Sequence, residues 1–435
     1  MLSQALVSVA GLVDRAMVGR LGGDEGAAVP LAAVGFATQL FFVPQSALFA
    51  VGLACVALMA RAIGARDPAR ARQVLAASLQ VGAAVSLVFT VVMLAGARPL
   101  LGLLGAEPAV VDSAVPYLNF LIGSLTFLAV SLVLDSALRA NKNMRTPMWI
   151  ALIVTIAKLA GNWVLIFGNL GFPRLELLGA GIATAFSSGI AVALYLGVAL
   201  RTRANSPVAL RLGQLTAPAA LRREVVRIAL PGIAERIVMN FALLGYFWIL
   251  SSYYGTLSVA VYTVGVALLS FSWIPGSAYA QACATLVGQA LGAEDRAGAV
   301  RVGWRSAGLA IVTAAVLGAI FGWAREPLAR LFTEDVEVIA ALGPFMLTLA
   351  AAQPFLQLHF ALGGAHRGAG DTMTPLVAAT VANWGLRLPL AYVCAAHLET
   401  GVIWVWYALL FDHVYRSAHL AWSFHRGHWQ ARIGR

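Results

Sequence analysis

The stretch Arg139-Ala-Asn-Lys-Asn-Met-Arg-Thr-Pro147 returns 228 positions later as Arg367-Gly-Ala-Gly-Asp-Thr-Met-Thr-Pro375, with the arginine and the Thr-Pro pair in the same places. The same offset aligns Arg61-Ala-Ile-Gly-Ala-Arg-Asp67 with Gln289-Ala-Leu-Gly-Ala-Glu-Asp295. The chain therefore contains two copies of one unit. Because the basic ends of both copies fall at matching positions, the copies share one orientation, which requires an even number of membrane crossings in each.

The composition places most of the chain in lipid. Hydrophobic residues make up 60% of the sequence, whereas soluble domains contain about 45–50% apolar residues. Segments 26–60, 73–97 and 237–293 contain no Asp, Glu, Lys or Arg, and about 20 such residues suffice for one helical crossing. The last segment must cross twice, and we predict its turn at Ser251-Ser-Tyr-Tyr-Gly-Thr256.

The sequence predicts an all-α integral membrane protein with 12 transmembrane helices, arranged as two six-helix bundles related by an internal parallel repeat. Residues 1–201 form the N-terminal bundle, 202–222 a cytoplasmic linker, and 223–435 the C-terminal bundle with a short basic tail. The linker contains Pro207, Gly213 and Pro218 among polar and basic residues. The helices are expected near 1–20, 29–61, 71–98, 108–140, 146–169, 177–201, 223–253, 257–291, 297–323, 335–366, 373–396 and 401–425.

The net charge of +11 would suggest nucleic acid in a soluble protein, but here its placement follows the positive-inside rule. Most basic residues fall in loops on one side, including the clusters at 61–72 and 201–227. We therefore expect no nucleic-acid partner, an inner (plasma) membrane location and cytoplasmic termini.

No enzymatic signature is present: the sequence lacks GxxxxGK[ST], HExxH, GxSxG, GxGxxG and CxxC. We predict that the protein is not an enzyme and has no catalytic residues, no metal site and no cofactor beyond a coupling proton or sodium ion. A receptor is disfavoured because the loops are short. The remaining candidates are ionisable groups at membrane depth, which are costly there and therefore functional by default.

In the first copy, Asp14 lies within the first predicted helix, and Lys158 and Asn162 lie four residues apart on one face of the fifth. A buried ammonium group requires a partner, and Asp14 is the obvious one. Two alternatives remain open. Asp14 could pair with the neighbouring Arg15, and Lys158 could extend to the membrane interface.

In the second copy, the candidates for a substrate cavity are Glu235, Asn240, Gln357, His359 and Arg387. Glu235 could instead be solvated near the cytoplasmic interface, and His359 could be an ordinary hydrogen-bonded interior residue. Asp412 and Arg416 are one turn apart and are interpreted as a local ion pair.

Together these residues resemble the multidrug and toxic compound extrusion (MATE) transporters over nearly the whole chain. The resemblance implies two six-helix bundles that export mostly cationic or amphipathic compounds in exchange for protons or sodium. The motifs that carry it are Val13-Asp14 through Val18-Gly19-Arg-Leu-Gly22, Gly64-Ala-Arg-Asp67, Arg139 to Thr146-Pro147, Leu165-Ile-Phe-Gly168 with Gly179-Ala-Gly-Ile-Ala-Thr184, and Arg367-Gly-Ala-Gly-Asp-Thr372-Met-Thr-Pro375.

Two departures from the family pattern concern the coupling ion. Where proton-coupled members carry Asn, three residues and Asp on the fifth helix, this chain has Lys158 and Asn162. Where sodium-coupled members often carry an Asp on the tenth helix, it has Leu356. The sequence keeps Asp14 and Thr184 of the resembled pattern. We hypothesise that Lys158 is a tethered cation that takes the place of a coupling ion, and that Asp14 titrates against it.

We predict a secondary antiporter that exports organic, cationic or amphipathic compounds by alternating access, coupled to a proton or sodium gradient. Its expected partners are a small organic substrate and membrane lipid, and we expect a monomer. Two alternatives are a lipid-linked precursor flippase of the same superfamily and a transport-inactive membrane binding protein.

Overall fold

The computed structural model describes residues 17, 28–203, 205–210, 216–332, 335–427 and 429. This part of the chain is built of helices and short connections. It forms two compact units, which meet in sequence between Leu230 and Pro231. The boundary lies inside a helix that begins at Ala219, so the first turns of that helix belong to the N-terminal unit.

The N-terminal unit contains six described helices before the start of the helix that crosses the unit boundary. Helices α3 and α4 form one bent pair, with an angle of 42° at Ser124. The six helices are α1 Ala28–Gly64, α2 Pro68–Leu103, α3 Pro108–Gly123, α4 Leu125–Ala140, α5 Arg145–Phe167 and α6 Glu176–Arg201.

The C-terminal unit begins within α7, which runs over Ala219–Gly292 and is broken at Gly255, where φ is 73°. Because L-residues with a side chain rarely adopt that conformation, a glycine is suited to this turn. The break confirms the turn predicted at 251–256. The remaining helices are α8 Arg296–Trp323, α9 Arg325–Arg330, α10 Val336–Gly368, α11 Met373–Thr380, α12 Leu388–Ala396 and α13 Ile403–Arg426, with a π-helical segment, Val381–Arg387, between α11 and α12.

The internal repeat is visible in the helix boundaries. Helices α2, α3 and α5 begin at Pro68, Pro108 and Arg145, and their counterparts α8, α10 and α11 begin 228 residues later at Arg296, Val336 and Met373. The predicted helices from the second to the twelfth coincide with described helices to within a few residues. The first predicted helix, 1–20, lies outside the described residues apart from Met17.

Eight helices of the described chain are long and apolar enough to cross a membrane, or nine if the bent α3–α4 pair counts as one span. The 74 residues of α7 would extend over about 110 Å at 1.5 Å per residue, so the break at Gly255 allows two crossings.

On α2, Leu87, Val88 and Val91 are about 60% exposed. Such exposed apolar rows are expected where a helix faces lipid, because the acyl chains replace the protein core as the apolar environment.

The second helix of the repeat, α2 in one unit and α8 in the other, begins with an aspartate cap in both units. Asp67 accepts a hydrogen bond from the Arg70 backbone N–H, and Asp295, at the matching position, accepts one from the Gly298 N–H. Each carboxylate satisfies one of the N–H groups that a helix start leaves without an intrahelical partner.

Small residues allow one pair of helices to approach closely in each unit. A Cβ atom on Gly52 of α1 would lie 2.8 Å from Ser136 Oγ of α4. In the C-terminal unit the glycine is on the other helix: Gly364 and Gly368 of α10 lie against the backbone of Ala280 and Ala284 of α7. Membrane helices pack through such contacts because lipid provides no hydrophobic driving force for their association.

Replacing Gly364 with leucine is expected to separate α10 from α7, because the added side chain would occupy the position of the Ala280 backbone. Overpacking of this kind costs about 1–3 kcal/mol or more. Thermal unfolding of the purified protein in detergent measures the loss. Gly308→Leu is the matched control, since no atom lies within 4 Å of a Cβ at Gly308. Equal unfolding temperatures for the two variants would contradict the packing assignment.

Candidate functional site

A buried ion cluster lies inside the C-terminal unit, between α13 and the helix that contains Arg387. Asp412 is fully buried, and Arg416 binds it with two hydrogen bonds, from Nε to Oδ1 at 2.7 Å and from Nη2 to Oδ2 at 3.1 Å. The predicted local pair of Asp412 and Arg416 is therefore confirmed. A two-bond pairing of arginine and carboxylate fixes geometry as well as charge.

Arg387 is the second cation of this cluster. Its Nη1 lies 3.8 Å from Asp412 Oδ2, its Nη2 donates to the Tyr262 hydroxyl at 2.8 Å, and its Cζ lies 4.1 Å from the centre of the Tyr246 ring. Arg387 is only 8% exposed. The two tyrosines are neutral, so Asp412 is the carboxylate that both arginines share in the described structure.

The π-helical segment Val381–Arg387 determines where Arg387 lies along the helix. Pro389 follows it and has no N–H to donate, so the Gly385 carbonyl cannot accept the usual helical bond. The Asn383 side chain also donates to the Ala379 carbonyl at 2.8 Å. Widened turns of this kind accommodate one extra residue and occur often at functional sites. At the repeat offset of 228, Lys158 of the N-terminal unit aligns with Leu386, one residue before Arg387.

Two histidines lie beside the ion cluster. The rings of His359 and His413 are stacked, with centroids 5.6 Å apart, and His359 Nδ1 lies 3.3 Å from the Phe355 carbonyl oxygen. His413 Nδ1 has no hydrogen-bond partner among the described residues, and neither has Arg387 Nε. The interior of this unit therefore contains two buried side-chain nitrogen atoms to which no described group is hydrogen-bonded.

A separate group of buried amides lies on α10. Gln357 is fully buried and donates from Nε2 to the Ser272 carbonyl at 2.8 Å, but its Oε1 has no partner within the described chain. Gln353, one turn earlier and also fully buried, has neither side-chain atom bonded in the described structure. The sequence did not mark Gln353, although the Gln–x–x–x–Gln spacing within a stretch of α10 that has no Asp, Glu, Lys or Arg would have indicated it.

Glu235 is paired rather than merely solvated. Arg367 Nη2 donates to both of its carboxylate oxygens, at 2.6 and 2.8 Å, and both side chains are largely buried. The counterpart arginine of the N-terminal unit, Arg139, instead bonds Asp135 on its own helix at 2.7 Å. Asn240 lies one turn beyond Arg236 and donates to its backbone carbonyl at 2.9 Å.

In the N-terminal unit, Asn162 of α5 is fully buried and Lys158 is half-buried one turn away. The Thr184 hydroxyl of α6 donates to the Ala180 carbonyl at 2.9 Å. Asp14 lies outside the described residues, so its pairing with Lys158 stays a prediction. Within the described part of this unit, the predicted coupling residues are thus on the adjacent helices α5 and α6.

The turn after α10 carries a buried carboxylate. Asp371 accepts from the Thr374 N–H at 3.2 Å and from its hydroxyl at 2.6 Å, and His366 Nδ1 lies 3.3 Å from Oδ2. Burial raises the pKa of Asp371, but the hydrogen bonds from His366 and Thr374 outweigh it and hold this pKa at about 2. Asn143, the repeat counterpart, also accepts from the backbone N–H of Thr146, at 3.1 Å, but its amide donates to the Thr146 hydroxyl, at 2.9 Å.

The repeated helical units and their buried charges define a class of protein, the multi-pass membrane transporters with duplicated bundles. The family model described as MatE matches residues 1–164 and 231–393, one segment in each half of the chain. The chain belongs to the MatE family.

Proteins named probable multidrug resistance protein NorM are similar over nearly the full length. The protein from Thermotoga maritima is 27% identical, with 97% of this chain and 89% of the relative covered. The protein from Rhodopseudomonas palustris is 30% identical, with 95% of this chain and 86% of the relative covered. The internal repeat and the family membership predicted from the sequence are confirmed.

Solved structures share the fold. A MOP superfamily transporter from Pyrococcus furiosus has a TM-score of 0.90 at 20% identity and covers 100% of this chain and 94% of its own. The Vibrio cholerae MATE transporter VcmN, in a mutant form, has a TM-score of 0.89 at 21% identity and covers 98% and 94%. These likenesses confirm the all-α membrane fold with twelve helices.

Asp412→Ala is expected to destabilise the C-terminal unit strongly. The substitution leaves two buried guanidinium groups without their shared carboxylate, and breaking a buried pair costs about 3–5 kcal/mol. Asp112→Ala is the control, because Asp112 pairs with Arg98 at the surface, where both side chains are about two-thirds exposed. Thermal unfolding in detergent distinguishes the two, and a similar small effect for both would contradict a structural role for Asp412.

Asp371 is expected to stabilise the fold in a pH-dependent way. Its pKa of about 2, compared with 3.8 for the free side chain, corresponds to about 2 kcal/mol. A lowered folded-state pKa means that this contribution is complete above about pH 4 and is lost as the pH falls towards 2. The difference in unfolding temperature between wild type and Asp371→Asn should be constant from pH 7 to 5 and shrink below pH 4. A difference that is still undiminished at pH 3 would contradict the assignment.

Proposed function

We propose that this protein is an efflux transporter that exports amphipathic organic compounds, including cations, by alternating access coupled to a proton or sodium gradient. The observation that carries the proposal is the presence of ionisable residues buried at membrane depth inside a repeated unit of the MatE family. Such groups are costly in lipid and mark ion or substrate pathways. The relatives named as multidrug resistance proteins support the same assignment.

The proposed coupling site is in the N-terminal unit and consists of Asp14, Lys158, Asn162 and Thr184. Asn162 is buried on the face of α5 that also carries Lys158. Protonation of Asp14 would release Lys158 and favour one access state, because only a difference in interaction between two states can shift their balance. The ion is a proton in this scheme, since a lysine takes the place of a bound sodium.

The proposed substrate contacts in the C-terminal unit are Asn240, Gln357, His359 and Arg387. Glu235 is the weakest of the predicted cavity residues, because both carboxylate oxygens accept from Arg367. We propose an inner-membrane protein with both termini cytoplasmic, because the basic loops at 61–72 and 201–227 follow the positive-inside rule. We also propose that it is a monomer.

A lipid-linked precursor flippase and a transport-inactive binding protein are the competing functions. A flippase would move a lipid-linked substrate from one leaflet to the other, and a binding protein would retain its ligand without any net movement. The buried charge pairs of the described structure favour an ion-linked transporter over both.

Efflux from proteoliposomes under separately imposed proton and sodium gradients tests the proposal, with a fluorescent amphipathic cation as the substrate. We expect wild type to respond to the proton gradient, and Asp14→Asn and Lys158→Gln to lose at least about tenfold in proton-driven rate. The reason is that each change removes one partner of the proposed titrating pair.

Lys142→Gln is the matched control, because Lys142 is the other lysine of the chain and is exposed in the loop before α5. It should keep the wild-type rate. Full proton-driven efflux by Asp14→Asn would overturn the coupling site, and efflux that depends on neither gradient would overturn the antiporter.

A further inference from the structure

The buried ion cluster of the C-terminal unit has more positive than negative charge. It contains two guanidinium groups, Arg387 and Arg416, and one carboxylate, Asp412, all at most 8% exposed. The hydrogen bonds of Asp412 go to Arg416, whereas Arg387 reaches only 3.8 Å from the nearer oxygen. Arginine is always protonated in proteins, so the cluster carries one positive charge more than Asp412 neutralises.

This charge lies deep in the membrane-spanning region. Arg387 is nine residues before the end of α12, and Asp412 is nine residues after the start of α13, which places each about 13 Å of helix from the nearer helix end. A buried charge carries a large desolvation penalty unless a counter-ion offsets it. Asp412 is the one carboxylate of the described chain that reaches either arginine, so it neutralises only one of the two positive charges.

Apart from Asp412, the described neighbours of Arg387 are neutral or positive. Tyr262 accepts a hydrogen bond from Nη2, and the Tyr246 ring lies under the guanidinium. Tyr246 itself donates to the Val405 carbonyl at 2.6 Å, so its hydroxyl is already used. His413 lies within electrostatic reach of both arginines, and His359 stacks on it. These groups can donate hydrogen bonds or stack, but none supplies a negative charge near neutral pH.

Two donors of the cluster have no acceptor among the described residues. They are Arg387 Nε and His413 Nδ1. The histidine nitrogen is a donor in one of the two neutral tautomers of the ring. Both residues are more than nine-tenths buried. A guanidinium edge and an imidazole N–H are donors that suit a halide or a carboxylate.

We propose that the C-terminal unit binds one small monovalent anion at Arg387, with His413 as a second donor. Two sources have this chemistry, a free chloride ion and the carboxylate of a transported organic molecule. The second source rests on the transport function proposed above, whereas the first does not. Asp412 competes with the ligand for Arg387 and therefore weakens anion binding.

Binding is tested with the purified full chain in nanodiscs of zwitterionic lipid. Sodium chloride, and in a second series sodium acetate, replaces sodium isethionate at constant ionic strength and pH, while Trp fluorescence and the unfolding temperature are recorded. Trp406 is a suitable reporter, because its ring stacks on Tyr262 with centroids 6.2 Å apart. Wild type should show a saturable change for both anions.

Arg387→Gln should abolish the saturable change, and Arg330→Gln should retain it, because Arg330 carries the same charge in an exposed pair with Glu326. Asp412→Asn should tighten anion binding by about tenfold or more, since a competing unit charge is removed. His413→Phe should weaken anion binding by about tenfold, because it removes the second donor. This variant leaves the Asp412–Arg416 pair intact and keeps the proposal testable if Arg387→Gln fails to fold. A wild type without saturable anion dependence, or an Asp412→Asn variant that binds the anion more weakly, overturns the proposal.

Efflux from proteoliposomes distinguishes the two sources. If the ligand is a substrate carboxylate, an amphipathic acid is exported, its methyl ester is not, and chloride inhibits competitively. If the ligand is free chloride, export of an amphipathic cation slows when isethionate replaces chloride on both sides. Saturable anion binding in nanodiscs without efflux of any probe refutes the transport function and leaves the anion site standing.

Discussion

The absence of water from the bilayer core is the constraint on which this structure depends. Each backbone N–H and C=O in the hydrocarbon region must be bonded within its own segment, which leaves helices as the solution for a chain of this composition. The exceptions in the described chain are local. Gly255 breaks α7 between two crossings, and the π-helical segment at 381–387 widens one turn beside Pro389. Charged side chains must likewise find partners inside the protein, as Asp412 does with Arg416.

The two units share a backbone plan but use different side chains to hold it. The arginine at the end of the repeated helix is present in both, yet Arg139 bonds an aspartate on its own helix, and Arg367 bonds Glu235 on another. The close approach of two helices uses Gly52 in one unit and Gly364 in the other, on opposite partners. A duplicated fold tolerates such exchanges because the contact, rather than the residue that provides it, has to be maintained.

This divergence gives the two units different electrostatic characters. The fifth helix of the N-terminal unit has Lys158 near a buried Asn162, and the matching helix of the C-terminal unit has Arg387 in a cluster that contains one carboxylate and two arginines. Lysine can change its protonation state when its surroundings change, whereas arginine stays charged. The first arrangement suits a coupling step that gains and releases a proton. The second suits a permanent site for a negatively charged group.

The sequence by itself determined the membrane fold, the duplication and nearly all helix boundaries, because uncharged segments of sufficient length and an exact repeat offset are properties of the linear chain. It also identified Asp412 with Arg416 and marked Arg387 and His359 as candidates. Only the tertiary structure decided that Arg387 shares the carboxylate of Asp412, that Glu235 belongs to Arg367, and that His413 and Gln353 lie in the polar interior. The physical reason is that these partners come from helices far apart in sequence, and that one additional residue in the π-helical segment shifts the face on which Arg387 lies.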